Sequence, residues 1–399
     1  MFEKILIKSG SHPSERFLPI ADLVDMMFYY GEVHVLASQF ELSQLLTVFS
    51  EDILYQLIEE KHLYLHPCDQ HIGAGVFGND IYSLDLYSRN FNSIDGLLYS
   101  FHKEVVKDAE DNKRFAESFS PLLDQFKYSK QVNQFIQGDL ENDVELGQLT
   151  KSFILQYYPG YSEVEKIEIH AEPVRSELNG LYRIESNLNL EELNKLHQIN
   201  SYPGNFDIAT ILMAIGETAA DCSVTAEMGA DLMPTLRWEG MYRQRINDVI
   251  NRTKDNVSNI DNFHKTEAIS FLSPGAAFVQ GRLSSKQLLK NLNKCKTKKF
   301  RKWLSSLPND AYLASSINEA VRNSWGQKWP VKTGRVLFQI MAGIAGTLAA
   351  PSTPIVGILA GAGATVLDGY AGDRITQGWN PRMFVDTVLR EKKLEMNND

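Results

Sequence analysis

The sequence predicts an α+β protein, mostly helical. It has a small α/β unit at the amino end, a helical middle and a Gly/Ala-rich helical hairpin towards the carboxyl end. Three observations carry that expectation. Short alternating segments at 62–66, 79–87, 164–170 and 180–185 have the period-2 pattern of half-buried strands. Apolar residues three and four apart fill much of 38–58, 93–158 and 206–250, the spacing of amphipathic helices. Finally, the 32 residues Val336–Leu367 carry no formal charge.

Composition bounds the class. The chain has 399 residues, 43% hydrophobic and 23% charged, which is the balance of a folded globular protein. That length accommodates several units. The expected division is 1–90, a small α/β unit; 91–200, helical with a strand pair; 201–310, helical with a basic segment; and 311–399, containing the apolar hairpin. Three cysteines, Cys68, Cys222 and Cys295, are widely spaced and odd in number, which points to a reducing, cytoplasmic setting. The opening MFEKILIKSGSHPSERF lacks an apolar run after a basic start, so no secretory signal is expected. A net charge of −10 argues against nucleic-acid binding by the protein as a whole.

In chain order, Gly31–Ser38 reads as a strand ending at a helix cap. Ser38 and Glu41 form a capping-box pair, in which the hydroxyl serves the N3 amide and the carboxylate the cap amide. Leu42, Leu45, Leu46 and Phe49 continue that helix. Ser50 opens a second one through Ile53, Leu54, Leu57 and Ile58, and His62–His66 alternates as a strand. Here His62, His66, Cys68 and His71 invite a metal reading. On a strand, however, residues four apart are separated by about 13 Å, too far to share one ion held at roughly 2 Å. No metal is expected. Gly73, Gly75 and Gly78 match GxGxxG, but the following Asn79–Tyr87 alternates like a strand instead of opening a helix. A dinucleotide site needs that helix, so no cofactor is expected and the glycines read as a hairpin turn.

Residues 93–158 read as helical. Ser120-Pro121 marks a start, and Asp139, Glu141, Asp143 and Glu145 gather near the beginning of a helix ending at Pro159-Gly160. A second strand pair follows, Val164–His170 and Gly180–Glu185, then a short helix to about His197 and a break near 200–205. In 206–250, Ile208, Ile211, Leu212 and Ile215 share one side of a helix. Glu217, Asp221, Glu227 and Asp231 fall within about 120° of one another. Such a face is ordinarily solvated; the sharper alternatives are a divalent ion or the basic segment that follows.

Arg282–Trp303 holds nine Lys/Arg and no acid. Lys286, Lys290, Lys294, Lys298 and Lys302 recur every four residues, with Leu288, Leu289, Leu292 and Cys295 turned to the core. The series suits an anionic surface: lipid headgroups, nucleic-acid phosphates or the acidic face before it. Aromatic interleaving is limited to Phe300 and Trp303, which weakens a single-strand nucleic-acid reading.

Beyond it, Pro351 and Pro354 divide Val336–Leu367 into two runs of 15 residues. Small residues recur every four positions, among them Gly346 in the first run and Gly357 and Gly361 in the second, so two helices could pack closely. Trp325, Trp329 and Trp379 flank the stretch as interfacial aromatics flank membrane segments. Fifteen residues is short of the roughly 20 a spanning helix needs, which favours a buried core hairpin; the basic and aromatic flanks favour membrane contact. After Gly378–Pro381, a last helix over 381–393 carries Met383, Phe384, Val388 and Leu389.

The chain contains no GxSxG, HExxH, CxxC pair or P-loop, so no catalytic residue is assigned. The expectation is a non-enzymatic interaction or effector protein, of bacterial toxin or antiviral defence type. It would be cytoplasmic or peripheral to the inner face of the membrane, with an anionic membrane, a partner protein or a second copy as partner. The alternatives are a soluble scaffold or complex subunit with the hairpin as core, and a nucleic-acid-binding protein or nuclease using Lys286–Lys302.

Overall fold

The computed structural model describes residues 3–9, 17–233, 238–245, 271–306 and 331–332, apart from short gaps within those ranges. The chain mixes helices with sheets, as the sequence suggests. The apolar stretch 336–367, its flanking Trp325, Trp329 and Trp379, and the helix expected over 381–393 lie outside the described residues.

The first sheet is parallel. Strands β1 (Lys4–Ile7), β2 (Glu32–Ala37) and β3 (Tyr64–Pro67) are joined by α1 (Ile20–Tyr29), then by α2 (Gln39–Phe49) and α3 (Glu51–Glu59). The fourth strand is β8 (Asp231–Met233), which arrives late and pairs parallel with β1, Ile5 opposite Asp231. The spatial order is therefore β3-β2-β1-β8. The strand–helix–helix–strand unit is the one the sequence predicts, whereas β1 and β8 are not apparent from it. Ile5-Leu6-Ile7 is too short a run to show a period, and β8 has only three residues.

Alternation along β1 and β2 assigns the two faces. Ile5, Ile7, Val33 and Val35 join the cluster holding α1, α2 and α3, whereas Leu6, Leu36 and Leu232 join the opposite one. That second cluster is built on α9 (Ile208–Met228), a 21-residue helix with Ile211, Leu212, Ile215 and Ala219 fully buried. By length and composition α9 passes as a membrane span, but 83% of its apolar window is buried, which makes it a core helix. Gly229, at φ 59°, ends it in a left-handed cap, a conformation that costs glycine little.

The second sheet is antiparallel, ordered β4-β5-β7-β6 from β4 (Gln70–Gly78), β5 (Ile81–Ser88), β6 (Ile169–Pro173) and β7 (Leu181–Ser186). The second expected strand pair forms and joins β4 and β5 through antiparallel pairing of β5 with β7, whereas the strand expected at His62–His66 lies in the parallel sheet as β3 and not beside 79–87. The glycines expected in a turn lie inside β4 instead. A Cβ on Gly73 would sit 2.5 Å from the Tyr87 ring, so that glycine makes room for a cross-strand aromatic. The segment starting at 164 is a single 3-10 turn, and the strand begins only at Ile169.

Between the sheets' strands run α4 (Ile94–Lys103), α5 (Ala109–Phe119), α6 (Gln131–Leu140), α7 (Asp143–Tyr157) and α8 (Leu190–Ile199). The acids expected at one helix start are divided. Asp143 and Glu145 lie in the first turn of α7, behind the Asn142 cap, while Asp139 is buried near the end of α6. Ser120-Pro121 opens only a three-residue 3-10 turn.

Three helices close the described chain: α10 (Pro274–Val279), α11 (Ser285–Asn293) and α12 (Cys295–Ser306). A two-residue pairing of Phe271–Leu272 with Val331–Lys332 accompanies them. α10 lies directly on α1, where the Gly275 amide donates to Asp25 at 2.7 Å. A Cβ on Gly275 would stand 1.7 Å from the Ala21 carbonyl oxygen. Since that oxygen is backbone, Gly275→Ala must push one helix off the other. Urea unfolding should register a loss of about 2 kcal/mol or more; an unchanged midpoint would contradict this packing.

Candidate functional site

In a parallel sheet, ligands bind outside the carboxyl ends of the strands, where the strand order reverses. That place is β1, with α1 against one face of the sheet and α9 against the other. A cavity of about 400 Å³, within the range of small-molecule sites, opens beside it, beyond the carboxyl ends of β1, β2 and β3. Its wall takes Lys8 and Ser9 from the end of β1, Ser38–Glu41 from the start of α2 and Cys68–Ile72 from the passage out of β3. Phe101, Tyr128 and Glu217 complete it.

Each polar wall residue is held by a second group. The capping box at Ser38 forms as the sequence implies, with the Glu41 carboxylate accepting from the Ser38 amide at 2.8 Å. The same carboxylate also accepts from the Ser9 hydroxyl, which ties the ends of β1 and β2 together. Asp69 accepts from Ser88 at 3.0 Å and from Gln125 at 3.3 Å.

The electrostatic centre is Lys8. Its ammonium lies 2.7 Å from Asp221, which is only 4% exposed in the middle of α9. Tyr242 donates to the other Asp221 oxygen at 2.5 Å, and the Trp238 indole donates to Glu217 one turn earlier. Burial acts to lower the Lys8 pKa, but Asp221, Tyr128 and Glu217 outweigh it and hold the ammonium well above its usual value. Beside this pair, Arg245 is buried against Asp139 at 2.7 Å and donates to Thr218 at 3.1 Å.

The acidic face read from 217–231 is therefore corrected. Glu217 and Asp221 are buried, and Asp221 is paired with Lys8 from β1 instead of with the basic segment. Asp231 is not helical at all; it lies in β8, hydrogen-bonded to Tyr30 at 3.0 Å, and burial raises its pKa to about 6. Glu227 accepts from Ser129. Sequence spacing could not reveal a basic partner 213 residues away.

The His/Cys cluster disperses as the strand geometry demands. His66 meets His34 of the adjacent strand, nitrogen to nitrogen at 2.9 Å, while His62 binds Asn293. Among the described residues no three His, Cys, Asp or Glu converge on a metal position. Cys68 lies in the cavity wall, where burial pushes its thiol up to about 11, so it is not primed as a nucleophile at neutral pH.

The basic segment folds as two helices. The Ser284 capping box with Gln287 starts α11, and Lys294, at ψ 137°, ends it. The lysine series is thus broken, with Lys286 and Lys290 on α11, Lys294 at the break, and Lys298 and Lys302 on α12. All but the half-buried Lys294 are exposed. Leu288, Leu289 and Leu292 are buried as expected, Cys295 is exposed, and Phe300 packs 5.9 Å from the Tyr29 ring. Apolar contacts on one side hold the lysines outward on the other. The site glycines Gly346, Gly357 and Gly361 lie outside the described residues.

No protein-family model, curated protein or solved structure matches the chain.

Removing one partner of a buried ion pair strands the other charge. Lys8→Met should therefore cost about 3 kcal/mol in urea unfolding, and adding Asp221→Asn should restore most of it. Equal instability of the single and double variants would show that the pair itself is not what holds β1 to α9.

Proposed function

We propose that the protein is an interaction or effector protein that engages an anionic membrane surface through α11 and α12, with the apolar stretch 336–367 as its membrane-directed arm. One observation carries this reading. Two helices bearing lysines and no acid are pinned to the core by Leu288, Leu289, Leu292 and Phe300, so their exposed cations form a fixed face and not a loose tail. Each Lys or Arg near an anionic leaflet contributes about 1 kcal/mol. Four of them account for a partition preference of roughly a thousandfold. The face needs no catalytic group, which agrees with the absence of any reaction motif in the sequence.

Flotation with phosphatidylglycerol vesicles tests the reading. The full chain should float at low salt and release a trapped dye, and Lys286, Lys290, Lys298 and Lys302 changed together to Glu should abolish flotation. Gly357→Leu with Gly361→Leu should retain flotation and lose leakage. Flotation that is indifferent to charge reversal would sink the proposal.

A second reading rests on the cavity at the carboxyl edge of the parallel sheet: a small ligand bound there serves as the signal the effector responds to. Three carboxylates, Glu41, Asp69 and Glu217, line it with one lysine already matched by Asp221, which favours a donor-rich ligand over a phosphate. Spermidine and adenosine are suitable probes in a thermal-shift assay. A rise in Tm should vanish in Gln39→Trp, which fills the cavity; a rise that survives that variant places the ligand elsewhere.

A further inference from the structure

We propose that Arg301, with Lys298 and His62, forms a phosphate-binding site where the junction of α11 and α12 meets the chain leaving α3. This rests on the reading of α11 and α12 as an anion-facing surface and names the group that would anchor it.

Arg301 carries an unmet demand for acceptors. The Nε and Nη2 atoms of Arg301 form the side-on edge of the guanidinium, the fork that takes two oxygens of one anion. Both atoms are buried, and among the described residues neither has a hydrogen-bond acceptor. Burial alone lowers the Arg301 pKa to about 10, with no carboxylate offsetting it. Folded proteins rarely leave such a fork empty, because a buried donor without an acceptor forfeits its hydration for nothing.

His62 supplies a second, independent sign. It is 5% exposed, and its Nδ1 is buried with no partner among the described residues. Its Nε2 donates to the Asn293 carbonyl oxygen at 3.0 Å, an orientation fixed because the Asn293 amide nitrogen donates to Glu60. Nδ1 is thus a bare lone pair until the ring is protonated. Burial favours the neutral ring and, with the cations Arg301 and Lys298, outweighs the Asn293 hydrogen bond and the Glu60 carboxylate, which lies 3.6 Å from Nε2 on the side away from Nδ1. An anion seated among these three groups reverses that balance. It allows His62 to take a proton and become a donor through Nδ1.

The surroundings admit such an anion. Positions 298, 301 and 302 share one side of α12 at 3.6 residues per turn. Arg301 is only partly buried, and exposed Lys298 and Lys302 flank it, so the group opens to the surface. The first turn of α12 carries Lys296 and Lys298 and no acid, although the positive end of a helix dipole prefers an anion there. A fork for two oxygens, an adjacent ammonium and a titratable imidazole fit a phosphate, whether free or in a lipid headgroup.

The test uses the full chain. Inorganic phosphate should raise Tm relative to sodium chloride at equal ionic strength, and calorimetry should give saturable binding. Arg301→Met, which relieves a buried unpaired charge, should fold with an equal or higher Tm in chloride and lose at least about tenfold in phosphate affinity. If that variant does not fold, Arg301→Lys keeps the charge without the fork and should show the same loss. His62→Gln should bind while losing the gain in affinity seen on lowering the pH. No phosphate response, or an equal response in the Arg301 variants, overturns the site. Phosphatidylglycerol vesicles separate the sources. Flotation that depends on Arg301 identifies the headgroup. An Arg301-dependent response to inorganic phosphate without flotation keeps the site for free phosphate and removes the membrane reading instead.

Discussion

The pairing of Lys8 with Asp221 constrains everything around it. A lysine at the end of a central parallel strand, facing the interior, is costly unless a carboxylate meets it there. Asp221 meets it only because α9 crosses the sheet at one height, with Tyr242 and Tyr128 completing the shell. That single contact fixes how far β1 extends, where α9 lies and which side chains border the cavity. The apolar clusters on either face set the general position of the layers; the ion pair sets the register, since hydrophobic packing has no such directional demand.

The same constraint accounts for the division of chemistry within the molecule. On the α9 side, charge is buried and matched, Lys8 with Asp221 and Arg245 with Asp139. On the α11–α12 side, both helices carry exposed lysines and no acid of their own. In the proposed function, the exposed cations on that surface are the ones that would meet an anion. The two lie on opposite faces of the parallel sheet, because α11 and α12 join the α1 cluster while α9 belongs to the other. Binding at the cavity and binding at the basic face therefore need not obstruct each other.

Local physics was legible in the sequence. The Ser38–Glu41 capping box, the α2–α3 pair and the buried Leu288, Leu289 and Leu292 follow from spacings of three and four residues, and the structure reproduces them. What escaped depends on contacts between distant positions. The glycines of β4 imitate a loop until Tyr87 is seen occupying the space beside Gly73. Glu217 and Asp221 imitate a solvated face until Lys8 appears beneath it. The lysine series imitates one continuous helix because a four-residue interval survives the break at Lys294, which only the backbone dihedral reveals. Of the candidate site, the lysines were readable from the sequence, whereas Arg301 was indistinguishable from its neighbours until the burial of its guanidinium was known.

The late arrival of β8 has a consequence for biogenesis. β1 and β2 are synthesised well before β8, so the edge of β1 that β8 covers has no partner until residue 231 has been made. At ordinary translation speeds that interval lasts on the order of ten seconds or more. During it the nascent chain presents an unpaired apolar strand ending in an uncompensated lysine. High contact order of this kind slows folding and invites mispairing between neighbouring polypeptides. The segment from β3 to α9 thus works against a clock, and a chaperone that shields Lys4–Ile7 would relieve it.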